Sequence, residues 1–230
     1  MKILGFIPAR KGSKSIKNKN LIKFNHKPLI YSTINFSKKI KCLTPFVSTN
    51  SKQILDYSKK NGISFDYLRP DSLSTDKSKI IKSVFHALKW FKDKNIEFDA
   101  VMLLQPTSPV RNQNEVDKII KMFKQKKLNS IVSATKMYEH PFECIKIEGK
   151  KWHYVENNPK KSSMRQDYSK SYYFIDGSIY LSSVDFLKKN KSFIVKNKTK
   201  IFKSSQFPGI DIDNLTNLKL GEFFMDKKNK

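Results

Sequence analysis

The sequence predicts an α/β protein: a three-layer, doubly wound, mostly parallel sheet forming one domain over residues 1–230, with a hairpin arm inserted at residues 137–174. Three observations carry this reading. Short apolar runs alternate with amphipathic helical stretches from the N-terminus to about residue 136, the rhythm of βαβ units. The run FDAVMLLQ, residues 98–105, is continuously apolar, as in a parallel strand covered on both faces. From Met137 to Phe174 the rhythm breaks into aromatics, polar residues and turn formers without a long period.

Taken in order, KILGFIP (2–8) reads as a buried strand. A basic loop follows, and Pro28 then opens a helix with proline in its first turn. PFVST (45–49) is a second strand, SKQILDYSKKNG a helix that Gly62 stops, and SFDYLRP a third strand closed by Pro70. Between Lys77 and Phe91, residues Ile80, Ile81, Val84, Phe85, Leu88 and Phe91 recur at helical spacing. The strand at 98–105 is followed by the helix EVDKIIKMF and the strand SIVSAT. After the arm come the strand GSIYLSS and a closing helix, NLTNLKLGEFFM.

The net charge of +26 first points to a nucleic-acid binder. Composition argues against it. Of 46 basic residues only Arg10, Arg69, Arg111 and Arg165 are arginine, whereas nucleic-acid surfaces favour arginine for bidentate contacts. The lysines are spread along the whole chain with no basic stripe, so they read as a compositional bias and nucleic acid is not an expected partner. A surviving arginine in such a background marks a place that needs a planar, forked donor. No run of about 18 apolar residues exists, so no membrane span is expected. Cys42 and Cys144 lack CxxC spacing, which excludes a disulfide framework or zinc ribbon, and the expected compartment is the cytoplasm.

The loop IPARKGSKSIKNKN, residues 7–20, lies at the carboxyl end of the first strand, where α/β sheets bind ligands. Gly12 permits close backbone approach, Ser13 and nearby N–H groups can donate to phosphate oxygens, and Arg10, Lys14 and Lys19 can offset a triphosphate's charge. The Walker A spacing is absent. Near the other end, IDID sets Asp211 and Asp213 two positions apart. In an extended strand residues 211 and 213 share a face with Cα atoms roughly 6.5–7 Å apart, so their carboxylates can converge on one Mg²⁺ or bracket two, while Ile210 and Ile212 face the core. An exposed turn is the competing reading of Asp-Asn at 213–214. None of the four histidines joins a base-and-nucleophile arrangement, and His86 reads as a packed helix residue.

These segments together resemble the cytidylyltransferases that activate nonulosonic acids, the CMP-sialic acid synthetase-like family. The opening loop is similar to its IPARxGSKxxxxKN signature, LLQPTSPVR to its LLQPTSPLR, and DGSIYL to its NGAIYI. KPLIYSTI, VSTNSKQI, YLRPDSLSTD, HPFECIKI and GIDIDN match further elements in the same order along nearly the full chain. The resemblance implies a nucleotide-diphospho-sugar transferase-like fold and transfer of CMP from CTP to the anomeric hydroxyl of an acidic nine-carbon sugar, with release of pyrophosphate. It implies nucleotide binding by Arg10, Gly12, Ser13, Lys14, Lys19, Asn20 and Arg69, with Arg10 and Lys19 catalytic alongside Asp211 and Asp213. Those two aspartates would hold Mg²⁺. Gln105, Arg165 and Tyr180 would meet the sugar, Arg111 would tie a loop to the sheet, and the arm would form a homodimer.

Some positions depart from the family pattern. Asn50 replaces an aspartate, Asp76-Lys77-Ser78-Lys79 loses hydroxyls expected near the nucleotide, and Asp176 adds a negative charge where asparagine is usual. The basic residue that some members carry after the arm's His-Pro is missing, with Glu143 nearby. A modified nonulosonate is therefore as compatible as sialic acid. A nucleotidyltransferase for another acid such as 3-deoxy-octulosonate, or a non-catalytic nucleotide- or nucleic-acid-binding protein, are the competing readings.

Overall fold

The computed structural model describes residues 1–13, 15–156, 168, 171–205 and 209–228, the last three of these by backbone only. In chain order the strands are β1 Ile3–Pro8, β2 Lys23–Phe24, β3 Lys27–Pro28, β4 Leu43–Ser48, β5 Ala100–Leu103 and β6 Ser130–Lys136. They continue with β7 Ile145–Glu148, β8 Lys151–Tyr154, β9 Tyr173–Phe174, β10 Tyr180–Ser183 and β11 Lys200–Lys203. The helices are α1 Leu29–Lys38, α2 Lys52–Lys60, α3 Ile80–Lys92, α4 Gln113–Gln125, α5 Val184–Asn190 and α6 Leu215–Lys228.

The main sheet runs β11-β6-β10-β5-β1-β4, with β9 beside β6. β1 pairs in parallel with β4 and β5, and β11 with β6; β10 alone on this path is antiparallel, wedged between β5 and β6. The chain leaves β1 for β4 on one side and returns to β5 on the other. That reversal opens a crevice at the carboxyl ends of β1 and β5, the usual ligand position in such sheets.

Two cores cover the faces. Ile30 and Ile34 of α1 pack with Val116, Ile119 and Phe123 of α4 against Ile3, Ile7 and Met102. Val84, Ala87 and Phe91 of α3 pack with Leu187 of α5 against Leu4, Phe6, Phe46 and Val101. A third, smaller core gathers Ile16, Phe24, Leu29, Val110, Ile210, Ile212 and Leu218. It takes one residue or more from the loop after β1, the loop after β5, the IDID segment and α6.

The predicted strand SFDYLRP is not one. Only Leu68 bridges to Thr49, and Arg69 N donates to Thr49 O at 2.7 Å. Tyr67 turns inward instead, at 2% exposure, into a ring cluster with Phe46 and Trp90. His86 packs as expected, its Nδ1 sharing a hydrogen bond with Tyr67 Oη at 2.8 Å. IDID is also not a ladder strand: its one backbone tie to the β5 side is Ile212 N donating to Thr107 O at 2.7 Å. The alternation nonetheless holds, with Ile210 and Ile212 buried and Asp211 and Asp213 exposed. Sequence reading missed α5 and β11, both lysine-rich and short.

Within 137–174, β7 and β8 form an antiparallel hairpin, with Ile145 opposite Tyr154 and Ile147 opposite Trp152. Residues 157–167 and 169–170 of the arm lie outside the described residues. No helix among the described residues is long and apolar enough to cross a membrane.

Candidate active site

A cleft of about 280 Å³ opens at the reversal point. Arg10, Gly12, Ser13, Lys19 and Asn20 line it from the loop after β1, Arg69 from the segment after α2, and Gln105 from the end of β5. Seven residues expected at the ligand thus converge on one hollow. Lys14 and Arg165 lie outside the described residues.

The loop after β1 is held open by its own polar groups. Gly12 has φ +73°, a conformation that favours glycine, and a Cβ there would meet nothing within 4 Å, so backbone conformation rather than space requires glycine. Asn20 Nδ2 donates to Arg10 O at 3.1 Å, cinching the loop. Asn50 Oδ1 accepts from Lys11 N at 2.7 Å, while its Nδ2 donates to Asp71 Oδ1 at 2.7 Å. This explains the departure at position 50: an aspartate could not donate to Asp71 and would repel it.

Arg69 is 5% exposed; its Nε donates to Ser74 Oγ at 2.9 Å and its Nη1 to Ser83 Oγ at 3.5 Å. Among the described residues no carboxylate pairs with it. Burial lowers its pKa, and the Arg10 charge pushes the same way, against Tyr67. A buried cation bonded only to hydroxyls, in a cleft wall, is suited to a ligand acceptor. Thr75 and Ser78 also line the cleft, with their hydroxyls 2.7 Å apart, so hydroxyls remain on this wall despite Lys77 and Lys79.

The IDID segment meets the opening loop directly. Lys19 is 8% exposed and its Nζ lies 2.8 Å from Asp213 Oδ1. Burial raises the Asp211 pKa, opposed by a hydrogen bond from Thr107, raised further by Asp213, and lowered by Lys19 and Arg111. Although residue 211 as a whole is solvent-exposed, its carboxyl is partly shielded beside Thr107. Among the described residues no group of three or more His, Cys, Asp or Glu forms a metal cluster. Neither aspartate lines the cleft, but Asp213 pairs with Lys19 and Asp211 is bonded by Thr107, both of which do. Two such carboxylates fit Mg²⁺, which binds through one or two carboxylates and takes substrate phosphates as further ligands. The turn reading also holds in part, since Asn214 Oδ1 accepts from Asn217 N at 2.8 Å at the start of α6.

Arg111 is buried and structural. Its Nε donates to Ser178 O at 2.9 Å, Nη1 to Thr33 Oγ1 at 3.0 Å and Nη2 to Gln105 O at 2.6 Å. Burial lowers its pKa to about 9 against the raising fields of Asp176 and Asp211. Asp176 does not line the cleft. It is 3% exposed and accepts from Ser133 Oγ at 2.7 Å, Thr135 Oγ1 at 2.6 Å and Ser178 N at 2.9 Å. The added charge at this position is therefore turned into the protein, towards Arg111, and away from the cleft. Gly177 (φ +73°) follows it, and a Cβ there would come within 2.9 Å of Ser108 Oγ, so the two loops touch only because it is glycine.

Tyr180 is half-buried on β10, hydrogen-bonded to the Gln105 side chain. Burial raises its pKa, as do Asp176 and Asp211. It reaches the site through Gln105 and does not line the cleft. Thr107, Asp76 and Ser83 were missed. Thr107 follows the buried strand at its carboxyl edge within QPTSP, a signal as strong as that of Gln105.

The cytidylyltransferase family model matches residues 4–224. A CMP-N,N'-diacetyllegionaminic acid synthase of Legionella pneumophila is 34% identical over 98% of this chain and 97% of its own length. A pseudaminic acid cytidylyltransferase of Campylobacter jejuni is 27% identical over 96% of this chain and 95% of its own. An N-acylneuraminate cytidylyltransferase of Escherichia coli is 28% identical over the whole chain, which spans 53% of that protein. In overall fold the chain resembles a CMP:2-keto-3-deoxy-manno-octonic acid synthetase solved with CTP, at TM-score 0.72 and 15% identity over 99% of this chain. With a family match over almost its full length and the loop, the IDID segment and Gln105 gathered at one sheet edge, this chain belongs to the cytidylyltransferase family.

Proposed function

We propose that this protein transfers CMP from CTP to the anomeric hydroxyl of a nonulosonic acid and releases pyrophosphate. The observation that carries this reading is the Lys19–Asp213 contact, which joins the phosphate-type loop to the acidic pair. The sugar hydroxyl attacks the α-phosphorus of CTP and loses its proton to solvent, while the bond from that phosphorus to the α–β bridging oxygen breaks and the oxygen leaves with pyrophosphate. Anion approaches anion, so neutralisation and alignment are the catalytic problem.

Arg10, Ser13, Lys19 and the loop N–H groups beside Gly12 hold the phosphate chain, with Lys14 expected to join them. Arg69 donates to the nucleoside. Gln105, oriented by Tyr180 and by the carbonyl grip of Arg111, donates to the sugar acid, and Arg165 is expected on the same side. Asp211 and Asp213 would hold Mg²⁺, which when bound supplies charge neutralisation at the α-phosphate and lowers the pKa of the attacking hydroxyl. The need for CTP argues for work in the cytoplasm.

We also infer a homodimer through the hairpin. Ile145, Ile147, Trp152 and Tyr154 share one face of β7–β8 and are 48%, 69%, 56% and 52% exposed. Four large apolar groups on a two-stranded ribbon form a patch that a second copy would cover.

Pyrophosphate release from CTP, measured across legionaminic, pseudaminic, N-acetylneuraminic and 3-deoxy-octulosonic acids, tests the function. Release with a nonulosonic acid is expected, with the legionaminic acid first to be tried. Release with none of the nine-carbon acids would refute the reading.

A further inference from the structure

One carboxylate in the cleft has no part in the proposed chemistry. Asp76 lines the mouth, and its Oδ1 lies 2.5 Å from Arg10 Nη2, the two side chains being 40% and 36% exposed. The turn that presents Asp76 is braced by hydroxyls: Thr75 Oγ1 and Ser78 Oγ lie 2.7 Å apart, and Ser78 Oγ donates to Ser72 O at 3.0 Å. Arg10 is fixed from the opposite wall, its carbonyl held by Asn20. An acidic turn on one wall therefore grips an arginine on the other, across the hollow that a phosphate chain would enter.

A guanidinium fork binds a carboxylate or a phosphate through the same donors. Two anions cannot share it without repulsion. Arg10 is thus committed to Asp76 until a stronger anion displaces it.

We propose that Asp76 is the resident counter-anion of Arg10, exchanging with the phosphate chain of CTP on binding and reclaiming the arginine as pyrophosphate departs. This rests on the reading of the cleft as a CTP site. Molecules with Arg10 held by Asp76 bind ligand poorly, so the apparent Kd is the intrinsic value divided by the fraction in which the arginine is released. For an ion pair exposed to water, removing the competitor tightens binding by about three- to fivefold. The same exchange speeds product loss, so without Asp76 pyrophosphate leaves more slowly.

The test is calorimetric titration of CTP, and separately of pyrophosphate, into the full-length wild type, Asp76→Ala and Asp76→Asn, each repeated in an Arg10→Ala background. The alanine variant removes any amide that could still bond Arg10. The expected result is a Kd about three- to fivefold lower for both ligands in Asp76→Ala, and no change when Asp76→Ala is added to Arg10→Ala. Unchanged or weaker binding in both Asp76 variants overturns the exchange. Equal tightening with and without Arg10 also overturns it, since the effect would then be through-space charge alone. Wild type that binds pyrophosphate but not CTP refutes the proposed function, and the pyrophosphate arm still decides the exchange.

Discussion

Lys19 and Asp213, 194 residues apart in sequence, meet at 2.8 Å, with the amine buried and the carboxylate largely in water. The lysine thus belongs to both halves of the site. Its aliphatic stem is packed while its charge faces the acidic pair and the cleft. Lys19→Met keeps the stem and removes the charge. It should reduce turnover roughly 100-fold or more while changing Tm little, because Asp213 can remain hydrated. Steady-state pyrophosphate release and a melting curve check both halves of this prediction.

Asp211→Asn should abolish pyrophosphate release and leave the fold intact. The sign of its stability effect follows from burial. The folded pKa of Asp211 is raised above its ordinary value, so ionising it costs stability at pH above that folded value. The cost disappears below the unfolded pKa. At pH 7 the asparagine variant should therefore melt at or slightly above the wild-type temperature. In the metal-free protein Asp211 should take up its proton at a higher pH than an ordinary aspartate, the direction that burial sets. Near-normal turnover of Asp211→Asn would falsify its assignment.

Arg69→Met tests the buried cation in the cleft wall. Replacing a buried charge that has no carboxylate partner by an apolar side chain of similar length leaves stability unchanged or improved. CTP affinity should fall roughly tenfold or more, as expected for a lost charge-assisted donor. Thermal melting with and without CTP separates the two effects: a large fall in the ligand-free Tm would make Arg69 structural.

Arg111 should behave in the opposite way. Arg111→Ala strands the Ser178 and Gln105 carbonyls and the Thr33 hydroxyl in the interior. At about 1 kcal/mol for each unsatisfied group, the loss is roughly 3 kcal/mol. For a chain of this length that lowers Tm by roughly 6–12 °C, readable by differential scanning calorimetry.

The hairpin prediction concerns assembly. Trp152→Glu should shift the protein from dimer to monomer in size-exclusion chromatography with light scattering, with little change in the monomer's melting. A monomeric wild type would end the dimer reading.

The elements with strong period or continuous apolar character were legible, as β1, β5, α3 and α4 show. SFDYLRP misled because its alternating apolar residues serve a ring cluster: Tyr67 packs on Phe46 and Trp90 without pairing along a ladder. The cleft residues of the opening loop could be read because glycine, serine and clustered cations after a strand have few other uses. Asp176 misled because sequence gives a charge but not its direction. Only the structure shows Ser133, Thr135 and Ser178 turning that carboxylate inward. Asp76 was invisible as a partner of Arg10, since their pairing is made across the cleft by tertiary structure.

The small third core, where Ile16, Val110, Ile210, Ile212 and Leu218 meet, gives the loop after β1, the loop after β5 and the IDID segment a common keel. Loosening any one plank, Leu218 of α6 included, should let the loop after β1, the loop after β5 and the IDID segment shift together. Activity should therefore fade as a single step on mild heating, ahead of the melting of the sheet. Trimming α6 before Leu218 should silence the enzyme without removing any residue assigned to the candidate site.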